Sequence, residues 1–210
     1  MNLYQELQEK LSEHNPTEVD ELILDDLFNN VSHFSEQNKK DLEKYNNLIH
    51  LSLNGFGLES LKNFPKIATL QVLEIRQNAL QGNDFAALKD LYPELYKLKV
   101  GENPIKNLDV FKVLANSSIK KVELSDIPAI EGKDYRKILF DLMPNLEIVD
   151  NQTKDGDEAS STIYEDDEGV DDDEGEDDEL EGDDDDDLDD EDGEEVEEES
   201  EGGEENGKKE

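Results

Sequence analysis

The sequence predicts an α/β solenoid: a curved parallel sheet lining a concave face, helical or irregular segments on the convex side, and a disordered acidic tail behind it. Two observations predict the solenoid. The phrase LYKLKVGENPI places Leu95, Leu98, Val100, Asn103 and Ile105 on the pattern L-x-x-L-x-L-x-x-N-x-L, the signature of a leucine-rich repeat. The phrase also recurs: Leu70, Leu73, Ile75, Asn78 and Leu80 repeat it in full, and Leu48, Leu51, Leu53 and Leu58 repeat it with Phe56 in place of asparagine. Val19, Leu22, Leu24 and Leu27 give a degenerate first copy, Ile119, Val122, Leu124 and Ile127 a fifth, and Leu146 and Val149 a truncated last one. Successive copies start 29, 22, 25, 24 and 27 residues apart, as stacked units of one strand and one return segment require. The third observation is charge. Residues 1–150 carry 25 acidic and 17 basic side chains, whereas residues 151–210 carry 34 and 3.

Each element follows from its residues. Leu3, Tyr4, Leu7 and Leu11 recur at helical spacing, so residues 1–14 are expected to form a helix that caps the open end of the stack. Asn15-Pro16 turns the chain into the first strand. The connection from Leu27 to Tyr45 is long and polar, with Leu27, Phe28, Val31 and Phe34 free to point inward. Later repeats return through Leu58, Leu61 and Phe64, then Phe85, Leu88 and Leu91, then Leu108, Phe111 and Leu114. Pro65 and Pro93 follow the first two sets, where a helix cannot continue. Residues 130–150 are expected to close the array: Tyr135, Ile138, Leu139, Leu142 and Met143 make a helical face, Pro144 ends it, and Leu146 and Val149 add a strand. The domain boundary is placed at Asp150. Beyond it too few apolar residues remain to offset the entropy of ordering the chain.

Composition narrows the function. With no cysteine, disulfides, thiolate metal sites and cysteine nucleophiles are excluded, in keeping with a reducing compartment. The amino-terminal stretch has no long apolar run, so neither a signal peptide nor a membrane anchor is expected, and the Asn-x-Ser/Thr triplets at Asn30, Asn116 and Asn151 read as chance. His14, His33 and His50 stand apart in the sequence, with no glycine-rich phosphate loop, zinc spacing or nucleophile elbow beside them. A non-enzymatic protein without cofactor or metal is expected. The stretch DGDEASSTIYED from Asp155 lacks the glycine that a calcium loop needs at its sixth place.

Five segments carry a resemblance to the acidic leucine-rich nuclear phosphoprotein 32 family. NPTEVDELILDD resembles that family's amino-terminal segment, LQVLEIRQNALQG and LKVGENPIKNL resemble its repeats, DYRKILFDLMPNLEIVD resembles its closing cap, and the acidic tail follows in the same place. Lys133 stands where the family commonly has asparagine, and only Lys208 and Lys209 remain of its terminal basic cluster. The resemblance implies a nuclear binding protein that shuttles with the cytoplasm. It also implies activities such as histone binding and chaperoning, masking of histone tails, inhibition of protein phosphatase 2A, and adaptor roles in RNA metabolism.

Two surfaces are candidates for binding. Nearly every residue between Glu165 and Glu199 is acidic, and the 60-residue tail could reach on the order of 200 Å when extended. A basic partner would release the counterions condensed on it, which points to histones and excludes direct contact with nucleic acid. Tyr164, followed by Glu165, Asp166, Asp167 and Glu168, could serve as an aromatic anchor beside that charge, and Thr162 lies in an acidic context suited to phosphorylation. The second surface is the concave face, to which the repeat pattern assigns Glu21, Ile23 and Asp25; His50, Ser52 and Asn54; Val72, Glu74 and Arg76; Lys97 and Lys99; and Lys121, Glu123 and Ser125. Lys97, Lys99 and Lys121 form a basic cluster there onto which the tail could fold. Asn78 and Asn103 read as structural, satisfying backbone groups of neighbouring turns. The expected function is histone binding by the tail, as a monomer, with the concave face adding selectivity. The alternative is a phosphatase inhibitor or adaptor acting through the repeats.

Overall fold

The computed structural model describes residues 3–13, 15–26 and 31–159. Thr162, Tyr164, Glu165, Asp166, Asp167 and Glu168 lie outside them, as do Leu27 and Phe28. Seven strands form one sheet in chain order: β1 (Glu21–Ile23), β2 (His50–Ser52), β3 (Val72–Glu74), β4 (Lys97–Lys99), β5 (Lys121–Glu123), β6 (Ile148–Val149) and β7 (Gln152–Thr153). The first six are parallel, and the predicted repeat frame sets their register: Leu22, Leu51, Leu73, Leu98, Val122 and Val149 stand opposite one another, all buried. Such a parallel array is stable only with its apolar side covered. Here the cover is a series of short return segments: Glu36–Leu42 (α2), a 3-10 turn at Phe85–Ala87 leading into Leu88–Leu91 (α3), and a 3-10 segment at Leu108–Leu114.

Asn78 and Asn103 stitch the repeats together. The Asn103 side-chain oxygen accepts from the Leu80 N–H at 3.0 Å, and its amide reaches the carbonyls of Ile75, Val100 and Gly101 at 2.8, 3.0 and 3.1 Å. Asn78 makes the corresponding contacts with Leu58, Leu53 and Arg76. Where Phe56 replaces the asparagine, the ring joins an aromatic cluster, edge-on to Phe34 at 5.9 Å, with Phe64 also packed against Phe34 at 5.1 Å. Phe34 is fully buried, so Phe34→Ala is expected to lower unfolding stability by about 3–5 kcal/mol in a urea titration. A loss under 1 kcal/mol would mean that the cluster does not organise the first repeats.

The expected amino-terminal helix is present as Leu3–Ser12 (α1), with Leu7 and Leu11 buried. Tyr45 donates its hydroxyl to the Leu11 carbonyl at 2.8 Å, and Gln8 donates to Asp41 at 2.6 Å, which ties α1 to α2. The helix α2 itself was not expected. Ser35 starts it with a reciprocal capping box to Asn38, a shorter-armed version of the usual Ser-x-x-Glu device.

Two features of the carboxy-terminal cap differ from expectation. The helix Tyr135–Leu142 (α4) buries Leu139 and Phe140, while Ile138 is 37% exposed. Inward pointing at 139 and 140 turns position 138 towards solvent. The sheet also does not stop at Val149. After Asp150 and Asn151, both with positive φ, the chain reverses and β7 pairs antiparallel with β6, followed by a bridge between Gln152 and Glu158. Backbone pairing thus continues through Ala159, whose N–H donates to the Asn151 carbonyl at 2.8 Å. Asp150 locks this end in place: its carboxylate accepts from the Leu124 N–H at 2.7 Å and from the Tyr135 hydroxyl at 2.8 Å. Among the described residues, no helix is long and apolar enough to cross a membrane.

Candidate functional site: the solvent face of the sheet

Alternation along each strand sends one set of side chains into the core and the other to solvent. The register brings the expected residues together in rows. One row runs Glu21, His50, Val72, Lys97, Lys121, and the next runs Ile23, Ser52, Glu74, Lys99, Glu123. Backbone hydrogen bonds from Asp26, Gly55, Gln77 and Glu102 to Asn54, Arg76, Gly101 and Ser125 extend the ladder, so Asp25, Asn54, Arg76, Gly101 and Ser125 form a third row. Gly101 belongs in this row for a steric reason. A Cβ there would stand 2.7 Å from the Ser125 hydroxyl and 2.8 Å from its carbonyl oxygen.

Charges on these rows are paired across rungs. His50 Nδ1 lies 2.7 Å from Glu21 and its Nε2 3.1 Å from Glu74, so this histidine is not the isolated surface residue that its sequence neighbours suggest. The lysines depart from expectation more sharply. Lys99 Nζ is 2.8 Å from Glu74 and 4.0 Å from Glu123, and Lys97 Nζ is 3.0 Å from Glu123. Strand spacing of about 4.8 Å sets each lysine beside a carboxylate on the next rung, so the pair does not present open positive charge. Burial, followed by the neighbouring charge of Lys97, lowers the pKa of the Lys121 ammonium. At the amino-terminal end, Asp25 accepts from the Ser52 hydroxyl at 2.6 Å and from the Asn54 backbone and side chain at 2.9 and 3.0 Å. Arg76 donates to Glu102 at 2.7 Å.

The His50–Glu74 contact makes a testable claim about pH. The hydrogen bond to Glu74 raises the His50 pKa above its ordinary 6.5, against the opposing pull of burial and with further help from Glu21. The same bond, with Lys99, holds Glu74 at about 2. A raised folded-state histidine stabilises fully below its unfolded value, and that stability is lost as pH rises through the folded one. A depressed carboxyl contributes above its unfolded value of 4.5 and loses this as pH falls towards 2. The pair is therefore strongest between 4.5 and 6.5. The melting-temperature gap between wild type and His50→Gln should be widest in that window and shrink in alkaline solution. A gap that does not vary with pH would show that the imidazole titrates alike in the folded and the unfolded chain.

The residues that the repeat pattern did not single out lie at the cap. A pocket of about 320 Å³ opens between the third row and α4, lined by Arg76, Glu123, Ser125, Tyr135, Arg136, Asp150 and Asn151. The Arg136 guanidinium lies 4.7 Å from the centre of the Tyr135 ring. Burial, and then the hydrogen bond to Asp150, push the Tyr135 phenol up to about 12, so it stays a donor. The available signal was compositional: the chain has 18 lysines and only two arginines, Arg76 and Arg136.

Stacked parallel strands, a buried leucine ladder and asparagine-bridged turns define a leucine-rich-repeat protein, a class whose sheet face is an extended surface for partners. No protein-family model matches the chain. It is 32% identical over 164 residues to an acidic leucine-rich nuclear phosphoprotein 32-related protein of Plasmodium falciparum (isolate 3D7), a match covering 74% of this chain and 58% of that relative. A Caenorhabditis elegans protein of the same description is 32% identical over 155 residues, 71% of this chain and 64% of its own length. Among solved structures, the Drosophila melanogaster SNF/U2A′ complex matches with a TM-score of 0.48 and 19% identity, over 52% of this chain and 63% of that one. The protein is a homologue of the acidic leucine-rich nuclear phosphoprotein 32-related proteins. It spans less than two thirds of the length of these relatives, whose shared name is that of nuclear phosphoproteins.

Proposed function

We propose that the protein binds histones, or basic proteins of similar charge, through residues 160–210, in the nucleus and while shuttling with the cytoplasm, and that the solvent face of the sheet adds partner selectivity. One observation carries the reading. Lysines on the sheet face have carboxylate neighbours within the repeat domain, whereas residues 160–210 hold 31 acidic side chains and two lysines. The imbalance can be neutralised only by cations from outside that stretch. Tyr164, with Glu165, Asp166, Asp167 and Glu168, is the proposed contact point within it, and phosphorylation of Thr162 would add to its charge. The protein acts as a monomer, without cofactor, and binds neither nucleic acid nor membrane directly.

The alternative places the activity on the repeat domain, as a protein phosphatase inhibitor or adaptor. Its support is the ordered rows and the cap pocket, which need nothing beyond residue 159. Binding of core histones to the full chain and to a full-length variant with the acids of 165–199 changed to amides separates the two readings. Loss of binding in the variant supports the first. Retained histone binding with unchanged salt response overturns it.

A further inference from the structure

We propose that the cap pocket is a docking site for a carboxylate side chain of an acidic partner peptide, with Arg136 as its anchor. This goes beyond the reading above and does not depend on it. The first observation is placement: both arginines of a chain with 18 lysines line this pocket, and Arg136 also borders a second one beyond α4. Lysine suffices for solubility and long-range charge, whereas arginine offers a planar fork that matches two carboxylate oxygens. The second is pairing. Arg76 is held by Glu102 at 2.7 Å, while Arg136 has no ion pair and no hydrogen bond among the described residues. The Nε–H groups of both arginines are buried without an acceptor, so neither guanidinium is fully satisfied within the domain.

The third observation is preorganisation. Arg136 stacks on Tyr135, Tyr135 donates to Asp150, and Asp150 accepts from the backbone of Leu124 in the fifth repeat. The guanidinium therefore stands on a fixed support, and little side-chain freedom is left to lose on binding. Gly101 lies between Arg76 and Ser125 in the third row, and its missing side chain lets Ser125 approach the strand closely. The pocket selects a single negative charge. Glu123 is ion-paired with Lys97 and Arg76 with Glu102, whereas Asp150 keeps its charge while accepting from the Tyr135 hydroxyl. With the Asp150 carboxylate in the same pocket, a singly charged carboxylate approaching Arg136 is repelled less than a doubly charged phosphate.

Two arginines give two side-chain Nε–H signals, so the test is direct. The full-length ¹⁵N-labelled protein is titrated with a capped Glu-Gly repeat peptide, its Gln-Gly counterpart and a phosphoserine counterpart. The Arg136 signal is expected to shift saturably with the glutamate peptide and to stay still with the glutamine one. Arg136→Lys, which keeps the charge, is expected to weaken binding roughly five- to tenfold with little change in melting temperature. The same titration on the full-length variant with amides at 165–199 tests competition by the chain's own carboxylates, and tighter binding there supports the carboxylate assignment. An Arg136 signal that moves in neither protein, or moves equally with the glutamine peptide, overturns the proposal. Tighter binding of the phosphoserine peptide overturns the choice of ligand.

Discussion

Core histones are expected to bind the full-length chain about a thousandfold less tightly at 0.2 M salt than at 0.05 M, and replacing the acids of 165–199 by amides should abolish most of that dependence. The reasoning transfers from nucleic acids with the signs exchanged. An extended polypeptide advances about 3.4 Å per residue, so a run of consecutive acids has a linear charge density close to that of a single strand of DNA. Counterions held by such a run are released when a cationic partner arrives, and six to ten replaced ions suffice for the stated slope. The amide variant keeps length and approximate side-chain shape while removing the charge. The log–log plot of affinity against potassium chloride should be steep for the wild type and nearly flat for the variant. Two parallel lines would place the contact on the repeat domain and favour the phosphatase-inhibitor or adaptor reading.

Asn103→Ala is expected to lower unfolding stability by about 3 kcal/mol, with no change in histone affinity measured on folded protein. The side chain is 2% exposed and serves four backbone groups from two adjacent repeats. Alanine leaves the Leu80 N–H and the carbonyls around it without partners in a space too small and too apolar for free hydration. Leucine fills the volume better and satisfies no more of these groups, so Asn103→Leu should be no less destabilising. Urea midpoints with an unchanged m-value would check both. A fall in histone affinity without a fall in stability would mean that the asparagine contacts partners, against its buried position.

The repeat frame was legible because inward residues recur at fixed offsets and an error of one position would expose the whole ladder. Leu22, Leu51, Leu73, Leu98 and Val122 stand in register as their spacing predicts. The rows of the solvent face followed from the same arithmetic. What those rows do electrostatically did not, because Glu74 and Lys99 are 25 residues apart and meet only through strand stacking. The helix α2 escaped notice because it has seven residues and an asparagine in its capping box. The strand β7 escaped because Gln152 and Thr153 offer no apolar alternation and pair through backbone alone. Arg136 lay in plain view, in a segment read only as a cap.

The reversal at Asp150 and Asn151 has a bearing on self-association. Six strands run one way, so without the turn a second copy could continue the stack head to tail, its first strand pairing with the last of its neighbour, and lengthen into a filament. With β7 antiparallel, and the chain folded over it again through Gln152 and Glu158, the terminal edge has the wrong direction and is already covered. Two residues with left-handed backbones thus leave no parallel edge strand among the described residues at that end of the sheet.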